Sequence, residues 1–158
     1  LAACAGVLVC AAITRLARGK TDVVMMLNGA LGGLVAITAE PLMPSPLMAI
    51  IIGGIGGALV FAGTELLVSL KIDDVVGAIP VHLIAGVWGT LAVPITNPDT
   101  SFGTQLLGTA SICVFVFVVS LVIWAIMKAT IGIRISEEAE KEGTDVAETG
   151  VIAYSIRD

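Results

Sequence analysis

Between Val23 and Thr130 the chain places only seven charged residues in 108 positions: Glu40, Glu65, Lys71, Asp73, Asp74, Asp99 and Lys128. The intervals between them are apolar runs of helical length. A run of roughly 20 apolar residues spans about 30 Å as a helix, the thickness of bilayer hydrocarbon. A backbone inside hydrocarbon must satisfy its own hydrogen bonds, and a helix does so within one segment. The expected fold class is therefore all-α, a polytopic bundle of transmembrane helices in a lipid bilayer. Charged residues make up 13% of the chain, against about a quarter in a soluble domain.

Five spans are predicted, over about 1–16, 23–39, 47–70, 74–93 and 104–130. They are separated by "TRLARGKTD", "EPLMPSP", Lys71 to Asp73, and "PITNPDTSFG". Residues 1–130 form the membrane bundle and 131–158 a tail. The first span looks cut, and Leu1 is not Met. We therefore expect the C-terminal part of a longer protein. Arg15, Arg18, Lys20, Lys71, Lys128 and Arg134 all fall on one side of this topology, and the loops 40–46 and 94–103 on the other side have no Lys or Arg. The bias of Lys and Arg towards cytoplasmic loops places the C-terminus in the cytoplasm.

The net charge of −5 arises mostly in the last 22 residues. It describes a tail, not a nucleic-acid-binding surface. Cys4, Cys10 and Cys113 lie in apolar runs at spacings that match no zinc or redox motif. They read as packing residues, and no metal or cofactor is expected. Small residues recur at helical spacing: Gly29 and Gly33, Gly53 and Gly57, Ala85, Gly86 and Gly89. Such faces let membrane helices approach closely.

The one histidine, His82, sits in the apolar run of the fourth span, about 12 Å along the helix from Asp74. That is close to the midplane, where an ionisable group faces protein or a cavity. Two readings are open: an interhelical hydrogen bond, or a pore-lining group. A neutral imidazole carries one donor and one acceptor, which suits a small polar solute. Pro80 lacks an N–H and frees the carbonyl of Val76, either as a plain kink or as a polar spot on a solute path. Asp73 and Asp74 are expected to open and cap the fourth helix, with a vestibule role as the second reading. Asn28 and Thr38 are expected to bond across helices. Trp88 reads as a pore wall or a buried aromatic. His82, Ala78 and Trp88 are the expected pathway residues. One histidine with no intramembrane carboxylate beside it supplies no acid–base pair, so no enzyme is expected.

"DVVMMLNGALGGLVAIT", "IDDVVGAIPVHLIAGVWGTL" and "KATIGIRISEEAEKEGTDV", in this order and spacing, resemble the C-terminal part of the ammonium transporter (Amt) family over nearly the whole chain. The resemblance implies an eleven-helix inverted-repeat channel fold, with the spans here as helices seven to eleven. It implies homotrimers with one narrow apolar pore in each subunit. Ammonium would bind outside, lose a proton, and pass two pore histidines, of which His82 matches the second. Asp73 and Asp74 match the acidic pair at the cytoplasmic start of that helix. The tail, with Arg134, Asp145 and Tyr154, resembles the segment through which PII-type regulatory proteins act. Three places differ from the family pattern. Leu83 stands where Gly usually follows the histidine, Glu40 stands near a usually small residue, and Thr149, Gly150 and Val151 replace His-Gly-Glu before Ala153 and Tyr154.

The expected function is thus ammonium or ammonia transport, with an ammonium sensor acting through its tail as the alternative. The tail itself has two readings. Its acidic run, Glu137 to Glu142, suits a disordered terminus. Ile131, Ile133, Ile135, Val146, Val151 and Ile152 suit a folded segment, with Arg134 bonding helix-end carbonyls or an acidic residue.

Overall fold

The computed structural model describes residues 1–153, so the Tyr154 expected in the tail lies outside the described residues. The helices are α1 (Ala2–Arg18), α2 (Val23–Thr38), α3 (Pro46–Ser69), a π-helical turn (Ile79–Ile84) running into α4 (Ala85–Thr96), α5 (Phe102–Thr130), α6 (Glu137–Glu142) and α7 (Thr144–Thr149). The expected all-α bundle of apolar helices is the observed class. Pro46–Ser69, Ile79–Thr96 and Phe102–Thr130 are each long and apolar enough to cross a membrane. At 17 and 16 residues, α1 and α2 fall short of the roughly 20 that span hydrocarbon upright.

Local chemistry sets the helix ends. Gly19, at φ 70°, closes α1 in the left-handed conformation, its N–H donating to Arg15 O at 3.1 Å. Glycine adopts that conformation without a Cβ clash. The carboxylate of Asp22 accepts from Met25 N at 3.0 Å and opens α2. Ser45 does the same for α3 through Met48 N at 3.3 Å, with Pro46 in the first turn. Arg18, at the end of α1, pairs with Asp22 at 2.9 Å and with Glu65 of α3, and lies 5.5 Å from the ring centroid of Phe61.

The chain divides into two compact units, Leu1–Cys113 and the part from Val114 onward. In the first, α1, α2 and α3 pack on one another, and the π-turn with α4 packs on α2 and α3. One core cluster joins Cys10, Met25, Val60, Val81 and Ala85; the other joins Ala36, Ile52 and Ala92. The helices meet backbone to backbone. A Cβ at Gly29 would stand 2.7 Å from Gly6 O, and one at Gly57 2.6 Å from the same oxygen. Similarly, Cβ atoms at Gly33 and Gly53 would each lie 2.4 Å from Ala2 O, and one at Gly89 2.5 Å from Ala36 O. Gly86 differs: its nearest neighbour would be Val35 Cγ1 at 3.6 Å, an ordinary contact. Cys10 Sγ donates to Gly57 O at 3.1 Å, a bond that needs this close approach.

The fourth helix begins later than the sequence suggests. Residues 73–78 form a turn in which Gly77 has φ 77°, and regular helix runs from Ile79 to Thr96 instead of from Asp74 to Val93. Asp74 still caps it from outside. Its two carboxylate oxygens accept from Ala78 N and Ile79 N, each at 2.8 Å. The helix also continues through Pro94, whose position near its end leaves few turns to disturb.

In the second unit, residues 114–130 of α5 are nearly all exposed, including Phe115, Phe117 and Trp124. A predominantly apolar exposed helix belongs in lipid or against protein. Beyond it the tail forms α6 and α7. Ser136 caps α6 by accepting from Ala139 N at 3.2 Å, and Gly143, at φ 104°, separates the two helices. Ile131, Ile133, Val151 and Ile152 remain exposed.

Candidate functional site

His82 lies at the centre of the π-turn. A π-turn closes i→i+5 hydrogen bonds, frequently at functional positions; here Ala85 N–H donates to Pro80 O. The extra residue in the turn separates the two faces of the segment. Pro80 and Val81 enter the core, Val81 at 1% exposure, while His82 and Leu83 emerge on the other side. Pro80 packs where only a glycine leaves room, since a Cβ at Gly63 would stand 3.2 Å from Pro80 Cβ and 2.6 Å from Ile84 Cδ1. The Val76 carbonyl freed by Pro80 is taken up by Asn28 Nδ2 at 3.0 Å. That bond ties α2 to the turn before His82 and leaves the carbonyl committed.

His82 faces a cleft of about 310 Å³. One wall is the stripe His82, Leu83, Gly86, Val87 and Thr90; the other is Gln105, Gly108, Thr109, Ile112 and Cys113 of α5. Both stripes repeat at three- and four-residue intervals, as one face of a helix does. No charged side chain lines the cleft. Its polar groups are an imidazole, an amide and two hydroxyls. Thr90 Oγ1 is already bonded to Gly86 O at 3.0 Å. Thr109 Oγ1 is buried and has no hydrogen-bond partner among the described residues. A group of this kind is costly unless something bonds it. The cleft thus holds apolar walls with uncommitted hydrogen-bonding groups and no charged side chain but for any charge on the imidazole, which suits a small polar solute.

The other expected residues are dispersed. Trp88 is half-buried among Ala36, Ile52 and Ala92, and its indole N–H donates to Ile52 O at 3.0 Å. It joins α4 to α3 and is not among the residues that line the His82 cleft. Ala78 is exposed and spends its N–H on Asp74. Asp73, Asp74, Gly77 and Pro80 line a separate cavity of about 130 Å³ with Thr64, Leu67, Val68 and Ile72. In the tail, Arg134 pairs with Glu140 at 3.0 and 3.2 Å, not with helix-end carbonyls. The Asp145 carboxylate accepts from Ala153 N at 2.8 Å, and this hydrogen bond holds it below the usual carboxylate range. Among the described residues no group of His, Cys, Asp and Glu is placed to hold a metal ion.

Sequence reading passed over Thr90, Gln105 and Thr109. Their signal was present: Gln105, Thr109 and Cys113 recur every four residues on one face of an otherwise apolar helix.

The Ammonium Transporter Family model matches residues 1–154. Ammonium transporter Amt2 of Archaeoglobus fulgidus is 38% identical, over 98% of this chain and 37% of its own length. Ammonium transporter Amt1 of Haloferax mediterranei is 39% identical, over 87% of this chain and 28% of its own. Among solved structures, one titled "Sensor Amt Protein" superposes with a TM-score of 0.86 at 31% identity, over 93% of this chain and 39% of that one. The chain thus spans about a third of the length of the curated relatives it matches.

Proposed function

The chain belongs to the Ammonium Transporter Family, and from that premise we propose that it forms part of a pathway carrying ammonium or ammonia across the membrane, with His82 on the wall. The observation that carries this reading is the cleft. It brings the one imidazole of the chain, presented by a π-turn, into an apolar space with no charged side chain. An ammonium ion is poorly solvated there and ammonia is not, because an ion pays far more than a neutral solute on leaving water. The ion therefore gives its proton to water at the entrance, the nitrogen enters as ammonia, and the imidazole offers hydrogen bonds in place of those the nitrogen loses. The distribution of Lys and Arg supports a cytoplasmic C-terminus. A homotrimer, and a PII-type partner at the cytoplasmic face, belong to the same proposal.

The test is ammonium flux into liposomes containing the full-length protein. Saturable flux is expected from the full-length protein and none from residues 1–158 alone, which leave the cleft open to its surroundings. Flux from the short chain, or none from the long one, overturns the reading.

A second reading, an ammonium sensor, is favoured by the solved structure titled as a sensor and by the folding of the tail into α6 and α7. Removing Gly132 to Asp158 from the full-length protein separates the two. If tail and pore are coupled, flux at equal surface expression falls severalfold. Unchanged flux defeats the coupling.

A further inference from the structure

We propose that Leu83 is a specificity-determining residue of the His82 cleft: it crowds the imidazole and disfavours a solute that carries a methyl group on its nitrogen. This inference rests on the transport reading. Leu83 follows His82 directly and lines the same cleft. It is 49% exposed, whereas Val81 and Ala85 on either side are buried. Leu83 cannot withdraw into the bundle, because that side is full. Pro80 and Ile84 already press on Gly63, where a Cβ would stand 3.2 Å from Pro80 Cβ and 2.6 Å from Ile84 Cδ1. The turn is also pinned in place. Ala85 N–H donates to Pro80 O, Val81 N–H to Gly77 O at 3.1 Å, and Asn28 Nδ2 to Val76 O at 3.0 Å. The isobutyl group of Leu83 therefore stays in the cleft. Side chains on a helix lean towards its N-terminus, so Leu83 and His82 lean the same way and stand side by side.

The cleft is divided along its length. Measured back from Thr96, the end of α4, Thr90 lies about 9 Å away and Leu83 about 20 Å. Measured in from Phe102, the start of α5, Gln105 lies about 5 Å away, Thr109 about 11 Å and Ile112 about 15 Å. The amide and hydroxyl groups thus gather towards the loop 94–103, and the level of the imidazole is walled by Leu83, Ile112 and Cys113. A nitrogen bonded to His82 has carbon and sulfur around it, and such walls discriminate by volume. Gly86, one turn beyond Leu83, adds no bulk of its own, and a Cβ there would meet only Val35 Cγ1 at 3.6 Å. The cleft as a whole, at about 310 Å³, has room for larger solutes than ammonia. Selection therefore falls to the space at the imidazole, and on this wall Leu83 is the side chain that fills it.

The test measures uptake of methylammonium and of ammonium by the full-length protein in liposomes and takes the ratio of the two rates. Leu83→Gly is expected to raise that ratio about tenfold, the lower end of what one methyl group controls in an apolar site. Leu83→Ala moves it the same way by less, and spares the helix the weakening that glycine brings. Leu83→Met, which conserves volume, keeps the wild-type ratio. A ratio in Leu83→Gly and Leu83→Ala no higher than in the wild type overturns the proposal. So does a shift in Leu83→Met as large as that in Leu83→Gly, since size is then not what matters. If the wild type takes up neither solute, the transport reading fails separately. Leu83 is then decided by the rate at which diethyl pyrocarbonate, which acylates imidazole nitrogen, modifies His82, followed by the mass of the peptide that carries it. Severalfold faster modification in Leu83→Gly upholds the crowding of the imidazole, and equal rates overturn it.

Discussion

Gly57→Ala is expected to destabilise the full-length protein by about 3 kcal/mol, at the upper end of the usual cost of overpacking, while Gly54→Ala, three residues earlier, leaves it unharmed. A Cβ at Gly57 would lie 2.6 Å from Gly6 O, 2.7 Å from Gly6 Cα and 3.1 Å from Gly6 C. All three atoms are backbone, so no rotamer change relieves the overlap, and α1 must move away from α3. Moving it also stretches the bond from Cys10 Sγ to Gly57 O, now 3.1 Å, and loosens the contact of Gly6 with Gly29. At Gly54 the nearest atoms to a new Cβ would be Val9 Cγ2 at 3.4 Å and Ala5 Cβ at 3.9 Å, ordinary contacts. There the helix propensity of alanine dominates and favours the variant by up to about 1 kcal/mol. Thermal unfolding in detergent, with size exclusion to score the folded fraction, checks the pair. Equal midpoints for the two variants would mean that α1 and α3 are not held at backbone contact.

What made the bundle legible in the sequence was the poverty of charge between Val23 and Thr130. In hydrocarbon that leaves helices as the one open-chain solution, so element type was decided before any periodicity was considered. Boundaries are set by weaker forces. Asp73 and Asp74 look like the first turn of a helix because acidic residues favour that position. Gly77, held in the left-handed region by the turn, delays the helix to Ile79, and Asp74 reaches forward to cap it. The π-turn was not legible at all. It adds one residue to a turn, and a run as uniformly apolar as Ala78 to Leu83 shows no phase that such an insertion would shift. The pairing of Asn28 with Val76 was half legible: proline identified the freed carbonyl, but the topology had to bring the amide to it. The site divided in the same way. His82 was conspicuous because an imidazole is rare at that depth, whereas Thr109 and Gln105 look like ordinary helix-packing residues until the opposite wall is known. Trp88 is apolar and polar at once, and only its bond to Ile52 O shows which use prevails here.

His82→Ala and Trp88→Phe are expected to separate flux from stability. The His82 ring lies on the cleft, is exposed, and makes no hydrogen bond within the described residues, so its removal leaves the fold within about 0.5 kcal/mol of wild type. What is lost is the imidazole of the cleft, the group proposed to hydrogen-bond the solute nitrogen or to pass a proton. Groups in that role contribute about 100-fold or more to a rate. Ammonium flux through the full-length His82→Ala protein is accordingly expected to fall about 100-fold at equal surface expression, with an unchanged unfolding midpoint. Trp88→Phe reverses the pattern. It removes the indole donor to Ile52 O, a carbonyl that keeps its own helical bond within α3, and costs about 1 kcal/mol, while the walls of the His82 cleft keep their residues and flux stays within about threefold, since a change of roughly 0.6 kcal/mol in a barrier produces no more than that. Two results would defeat this assignment: full flux in His82→Ala, which makes the cleft a packing face awaiting another helix, or a collapse of flux in Trp88→Phe without loss of stability, which moves the pathway to the α3 side of α4.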